Sequence, residues 1–188
     1  GTNPGHLYQQ NSMRDAMVAA LSLNIFHKYT DRLKMTNIAQ IANVLQSMVL
    51  TRGDKMVLTP TYHVFRMYNV HQDALYLPSV CDAAKFTDGN GRQCPYVDAT
   101  ASRNAEGAIN VTLTNVSLDE AATVTIYLAG NVKPRITGEI LTAETIQSHN
   151  DFDRPDEVKP VEFKDFKVKD GKIVVKMPAK SIVGLSIL

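Results

Sequence analysis

The stretch INVTLTNVSLDEAATVTIYL, Ile109–Leu128, alternates twice. Ile109, Val111 and Leu113 interleave with Asn110, Thr112 and Thr114. After a polar break, Val124, Ile126 and Leu128 interleave with Thr123, Thr125 and Tyr127. Successive side chains of a strand point to opposite faces, so this period predicts two strands with one apolar face each. Similar alternation recurs at 96–103, 135–142, 172–177 and 181–188. Turn formers separate the runs: Asp88-Gly89-Asn90-Gly91, Glu106-Gly107, Gly130-Asn131 and Asp170-Gly171. Strands at this spacing predict an antiparallel β-sandwich over residues 75–188.

Upstream, the period changes. Ser12-Met13-Arg14-Asp15 has capping-box spacing with Asp in the Glu position. Met13, Ala16, Met17, Ala20, Leu21 and Ile25 then recur at helical spacing, which predicts a helix over 12–28. Val18, Leu23 and Phe26 widen its apolar surface, so it is expected to be covered on more than one side. Residues 32–37 (RLKMTN) alternate as a short strand, and Ile38, Ile41, Ala42, Leu45 and Val49 predict a helix over 38–48. Thr59-Pro60 opens a further helix, with Thr as N-cap, carrying Tyr62, Phe65 and Tyr68 to about His71. Residues 1–74 hold six of the seven methionines, four of the five histidines and no glutamate; the first glutamate is Glu106. The parts 1–74 and 75–188 are therefore expected to differ in architecture.

The whole chain has 188 residues, 44% apolar and 21% charged, which is ample for a core. Twenty basic and nineteen acidic residues leave +1. Nucleic-acid and anionic-membrane surfaces need concentrated positive charge, so neither partner is expected. No apolar run approaches the length that spans a bilayer, and Gly1-Thr2-Asn3-Pro4-Gly5 is loop chemistry rather than a leader. Two cysteines build neither a disulfide framework nor a zinc site alone; Cys81 and Cys94, either side of a turn, either pair across neighbouring strands or are buried thiols.

Chemistry-bearing residues are sparse. Sugar hydrolysis needs two carboxylates flanking a bond. The front part offers Asp15, Asp31, Asp54 and Asp73, which read as caps and turn residues. Asp151, Asp153, Asp156 and Glu157 read as a solvated acidic loop. His6, His27, His63, His71 and His149 form no His-x-x-x-His pair, so no metal or cofactor is expected. His27 lies near a helix end, where the dipole favours a cation. No serine has a nucleophile-elbow setting. Asn110-Val111-Thr112 and Asn115-Val116-Ser117 fit the glycosylation pattern, the first inside a strand. Asn37 and Gln40 stand where strand 32–37 passes into an apolar helix. Either they cap and decorate that helix, or a neutral amide there hydrogen-bonds a sugar hydroxyl.

These motifs resemble one family. Leu7–Ala16 (LYQQNSMRDA), Leu23–Phe26 (LNIF), Arg32–Gln46 (RLKMTNIAQIANVLQ) and Met56–Ala74 (MVLTPTYHVFRMYNVHQDA) resemble the C-terminal portion of α-L-arabinofuranosidases of glycoside hydrolase family 51. Ala101-Ser102-Arg103 and Pro178-Ala179-Lys180-Ser181 carry the resemblance through the strands. It implies a mainly β chain: a jelly-roll-like sandwich from residue 75, preceded by a helical segment, 1–74, that is the tail of a (β/α)8 barrel. Helix 12–28 would be the seventh barrel helix and 32–37 the eighth strand. The family is retaining, and its acid/base and nucleophile glutamates would lie upstream of Gly1, leaving no catalytic residue here. Its active-site glutamine that contacts arabinose maps onto Gln40. The parent would release terminal α-L-arabinofuranosyl residues from arabinoxylan or arabinan. Its partners would be such a polysaccharide or oligosaccharide, the missing catalytic domain, and further copies in a homo-oligomer. Self-association is expected through residues 12–50, with Met17, Leu21, Ile41 and Leu45 exposed. The alternative reading is a non-catalytic carbohydrate-binding or oligomerisation module. Natural linkage stays open, as does compartment, with extracytoplasmic preferred to cytoplasmic.

Overall fold

The computed structural model of the chain describes residues 11–38, 41–128 and 135–188. The elements run α1 (Met13–His27), β1 (Val49–Arg52), β2 (Lys55–Leu58), then α2 (Pro60–Tyr68) with a closing 3-10 turn, Asn69–His71. The strands follow: β3 (Leu75–Tyr76), β4 (Lys85–Thr87), β5 (Gln93–Pro95), β6 (Val97–Arg103), β7 (Ile109–Asn115) and β8 (Ala122–Tyr127). The chain ends with β9 (Ile136–Thr142), β10 (Val161–Glu162), β11 (Phe166–Lys169), β12 (Lys172–Met177) and β13 (Ser181–Ile187).

The predicted alternation builds a sandwich. A six-stranded sheet, ordered β10-β9-β13-β7-β6-β3, faces a three-stranded sheet, β11-β12-β8. Val111 and Leu113 lie opposite Leu185 and Val183 on β13. With Ala101, Ile140 and Ile187 they meet Ile173, Val175 and Met177 of the smaller sheet, and this inter-sheet layer is one core. Gly138 is required here. A Cβ on it would come within 2.9 Å of the Phe163 carbonyl oxygen and 3.0 Å of the Leu185 side chain. Asp170 and Gly171 both take positive φ (51° and 72°), the conformation of a two-residue hairpin turn between β11 and β12.

A second core covers the outer face of the six-stranded sheet. Met13, Ala16, Met17 and Ala20 of α1 and Val64, Met67 and Tyr68 of α2 pack on Leu141, Val158 and Ile182. Helix α1 starts as the Ser12–Asp15 spacing predicted. The Ser12 N–H (2.9 Å) and hydroxyl (3.0 Å) both donate to the Asp15 carboxylate. Thr59 caps α2 by accepting from the Tyr62 N–H at 3.3 Å. The 143–158 segment folds back over the start of α1, where the Met13 N–H donates to the Ser148 carbonyl at 2.9 Å.

Four expectations are corrected. Residues 32–37 form no strand, because a strand needs a ladder partner and none lies beside them among the described residues. Over 38–48 the described residues form bends and turns rather than a helix. Asn43 (φ 57°) and Gln46 (φ 60°) are left-handed, and the Met48 and Val49 N–H groups both return to the Ile41 carbonyl. Val49 then enters the unpredicted hairpin β1–β2. Met17 is only 7% exposed and Leu21 is half-buried, because the sandwich and α2 cover them; Ile41 and Leu45 are exposed as expected. Neither alternative for Cys81 and Cys94 holds whole: both are free thiols, but Cys81 is exposed and Cys94 only half-buried. Cys94 faces Phe86 across β4–β5, whereas the Cys81 thiol meets the Val97 carbonyl three residues further on, roughly 10 Å along an extended chain. The Gly130-Asn131 turn lies outside the described residues.

Candidate functional site

The one predicted substrate-contacting residue, Gln40, lies outside the described residues. The anchor that follows it does not. Ile41's carbonyl accepts two backbone N–H groups, Met48 at 3.0 Å and Val49 at 3.0 Å. Asn43 clamps Thr51 in both directions: its Nδ2 donates to Thr51 Oγ1 and its Oδ1 accepts from the Thr51 N–H, each at 2.8 Å. Gln46 Nε2 donates to Asp15 Oδ1 at 3.2 Å, and Asn11 Nδ2 donates to the Ser47 carbonyl. Residues 41–51 are thereby tied to β1 and to the start of α1. Asn11 Oδ1 is buried there with no protein partner. Asn37 is exposed.

A denser polar cluster sits between the helices and the outer face of β6 and β7. Alternation turns Asp98, Thr100 and Ser102 of β6 and Asn110 and Thr112 of β7 to this side. His71 spans two strands: Nδ1 meets Ser102 Oγ at 2.7 Å and Nε2 meets Thr112 Oγ1 at 2.8 Å. A neutral imidazole donates from one nitrogen and accepts at the other, and each hydroxyl can do either. His27 Nδ1 meets Thr100 Oγ1 at 2.6 Å, while its Nε2 is buried without a partner. The two imidazoles lie 4.9 Å apart between centroids, and Tyr76 sets its ring against His27, also at 4.9 Å. Tyr68 donates to Asn24 Oδ1 at 2.6 Å, Asn24 Nδ2 donates to Asp98 at 3.1 Å, and Lys28 pairs with Asp98 at 3.2 Å.

Burial governs the protonation of this seam. It lowers the His27 pKa, so the helix-end reading that favoured a cation is overturned: desolvation outweighs the dipole at this depth. Burial, with His27 beside it, lowers His71 to about 3. Away from the seam, beside Asp156 and Lys159, burial and the nearby Arg66 lower His63 to about 4. Burial raises the Tyr68 phenol. The seam thus holds neutral rings against neutral hydroxyls. Its carboxylate, Asp98, is already engaged by Asn24 and Lys28, so the cluster offers no pair of free carboxylates for hydrolysis. Among the described residues no group of three or more His, Cys, Asp or Glu could hold a metal.

The histidine seam had no local signal in the sequence. His27 and His71 stand far apart in the chain, and alternation alone does not tell whether the hydroxyls they meet face water or a covering layer. The acidic loop is partly tied down: Arg154 pairs with Glu157 at 2.6 Å and with Asp151 at 3.5 Å. Both glycosylation-pattern asparagines, Asn110 and Asn115, are buried and hydrogen-bonded to carbonyls, so folding closes them. A cavity of about 750 Å³ opens at the β6–β8 side of the sandwich, lined largely by aliphatic groups such as Leu77, Val111, Val124 and Ile126.

Comparison with known proteins follows the same outline. The family profile described as "Alpha-L-arabinofuranosidase C-terminal domain" matches residues 1–181. An "Intracellular exo-alpha-L-arabinofuranosidase" of Bacteroides ovatus is 56% identical over 187 residues, covering 100% of this chain and 36% of that protein. A GH51 arabinofuranosidase crystal structure from Xanthomonas axonopodis pv. citri superposes with TM-score 0.92 at 45% identity, over 100% of this chain and 38% of that one. The Thermotoga maritima α-L-arabinofuranosidase, solved as an arabinose complex, shares the fold at TM-score 0.86 and 19% identity, over 100% of this chain and 41% of that one. The chain therefore spans under half the length of these relatives.

Proposed function

The chain belongs to the alpha-L-arabinofuranosidase C-terminal domain family, and from that premise we propose that it completes and braces the catalytic barrel of a retaining α-L-arabinofuranosidase. Residues 1–74 would contribute the last helices and eighth strand of that barrel, and residues 75–188 the sandwich. The observation that carries this reading is the superposition, over its whole length, on the Xanthomonas enzyme at 45% identity. Residues 32–37, unpaired here, would gain ladder partners only where neighbouring barrel strands lie beside them. Gln40 would reach the arabinose from a segment that Asn43 and the Ile41 carbonyl anchor. The substrates would be arabinan, arabinoxylan or their oligosaccharides.

No glutamate precedes Glu106, so both catalytic carboxylates would come from elsewhere in the parent, and the 188-residue chain alone should not hydrolyse an aryl α-L-arabinofuranoside above the buffer rate. Turnover that co-purifies with this polypeptide would falsify that placement. In the whole enzyme, Gln40→Ala should lower kcat/KM by up to about tenfold, the value of one lost neutral hydrogen bond of roughly 0.5–1.5 kcal/mol. Unchanged kinetics with a lowered Tm would make Gln40 a structural residue instead. Homo-oligomerisation would use the exposed Val18, Ile25, Ile41 and Leu45. A monomer of the whole enzyme by light scattering would remove that element.

A further inference from the structure

The balanced net charge hides a one-sided face. On the three-stranded sheet, Ile173, Val175, Met177, Val124, Ile126 and Phe166 point into the inter-sheet core. The opposite parity therefore points outward. The pairing puts these outward residues in rows: Lys169 beside Lys172 beside Tyr127, then Lys167 beside Val174 beside Thr125, then Lys176 beside Thr123. Four exposed lysines thus share one flat face with a tyrosine that is 69% exposed. Asp165, whose carbonyl accepts from the Lys176 N–H, is the acidic residue at the end of that last row. The lysines that form ion pairs among the described residues are Lys28, Lys159 and Lys164, none of them on this face. Lys172 instead lies over the Tyr127 ring, 4.9 Å from its centroid.

Folding does not favour this arrangement. Like charges directly opposite on a ladder destabilise it, and Lys169 faces Lys172 across the tightest part of a hairpin. A local conflict of this kind is where function is to be sought. We infer that the outer face of β11–β12–β8 docks an extended acidic polysaccharide, one carrying a carboxylate on successive sugars. Lysines two residues apart on a strand stand about 6.5–7 Å apart, and neighbouring strands about 4.8 Å apart, a grid of point charges suited to a repeating anion. Tyr127 offers a sugar-stacking face beside them. The lysine-only composition disfavours phosphate polymers, which arginine forks bind with two parallel hydrogen bonds. A lone aromatic ring provides no ladder for stacked bases. The choice of a polysaccharide among polyanions rests on the arabinofuranosidase reading. Binding needs no catalysis, so its failure would leave that reading intact.

The test is affinity electrophoresis and calorimetry of the 188-residue chain with sodium polygalacturonate at low salt. Retardation is expected, lost when salt shortens the screening length to a few ångströms. Debranched arabinan and fully methyl-esterified galacturonan should not retard it. Replacing Lys167, Lys169, Lys172 and Lys176 by Gln should weaken binding about tenfold or more, and Tyr127→Ala should weaken it further. Should the quadruple variant fail to fold, K169Q/K172Q carries the same measurement. No retardation of the parent chain overturns the inference, leaving the lysines as protection of an edge strand. So does equal binding by the lysine variants, or stronger binding to single-stranded DNA or phosphatidylglycerol vesicles.

Discussion

The six-stranded sheet buries both of its faces, and it does so by opposite means. Toward the smaller sheet, β6, β7 and β13 present Ala101, Val111, Leu113, Val183 and Leu185, an aliphatic layer. Toward the helices, β6 and β7 present Thr100, Ser102, Asn110 and Thr112, equally buried and bonded to His27, His71 and the Val70 carbonyl. The first face is held by area removed from water, which is non-directional and tolerates volume-conserving exchange. The second depends on each donor meeting its acceptor, because a buried polar group left unpaired costs its full desolvation. Along the second face the chemistry is graded: under Met13 and Met67 it becomes apolar again at Leu141 and Ile182.

The largest expected effect breaks the aliphatic face. Leu113 is 1% exposed, and Leu113→Ala should cost about 2–5 kcal/mol by urea unfolding, since transfer and cavity terms add. A loss below about 1 kcal/mol would show that the inter-sheet gap collapses around the deletion. On the polar face, Thr112→Val removes a hydroxyl while keeping its shape, and strands His71 Nε2. We expect a loss of about 1–3 kcal/mol, and a neutral result would mean that water or another tautomer takes over the bond.

Acid tests the polar face next, through His71, whose folded pKa of about 3 lies below the ordinary 6.5; His63, beside Asp156 and Lys159 rather than on that face, adds a second such group at about 4. The unfolded chain therefore takes up more protons than the folded one below about pH 6.5. Stability is complete above that pH and falls as pH drops toward the folded values, by up to about 1.4 kcal/mol per pH unit for each ring. His71→Gln should flatten the Tm profile between about pH 6.5 and pH 4, whatever it does to stability at neutral pH. An unaltered acid slope would place the sensitivity elsewhere. The smallest effect is expected from Ile182→Val, at the apolar end of the helix-covered face, at about 0.5–1.5 kcal/mol. A larger loss would show that this end is packed as tightly as the inter-sheet core.

The alternating runs from residue 96 onward were legible as strands because a period of two survives whatever covers either face; the run 32–37 alternates too but has no ladder partner among the described residues and forms no strand. The Ser12–Asp15 start and the Thr59-Pro60 start were legible because capping is settled within four residues. Alternation set Asn110 and Thr112 opposite an apolar face, but a period of two does not tell whether that second face meets water or another layer. The 38–48 stripe failed as a helix because Asn43 and Gln46 take left-handed backbone, a choice set by closure onto β1 rather than by apolar spacing.

By itself, then, the sequence determined the strand periodicity from residue 96 onward, the turns at 88–91, 106–107 and 170–171, the starts of α1 and α2 and, through its long motifs, family membership, all of which rest on local stereochemistry or on runs of contiguous residues. Tertiary structure alone decided which polar faces are dry, that His27 and His71 meet, that Cys81 and Cys94 do not, and that four lysines gather on one sheet. Each of these depends on strand order and on which layer packs above, and such contacts join residues whose separation along the chain carries no trace of their nearness in space.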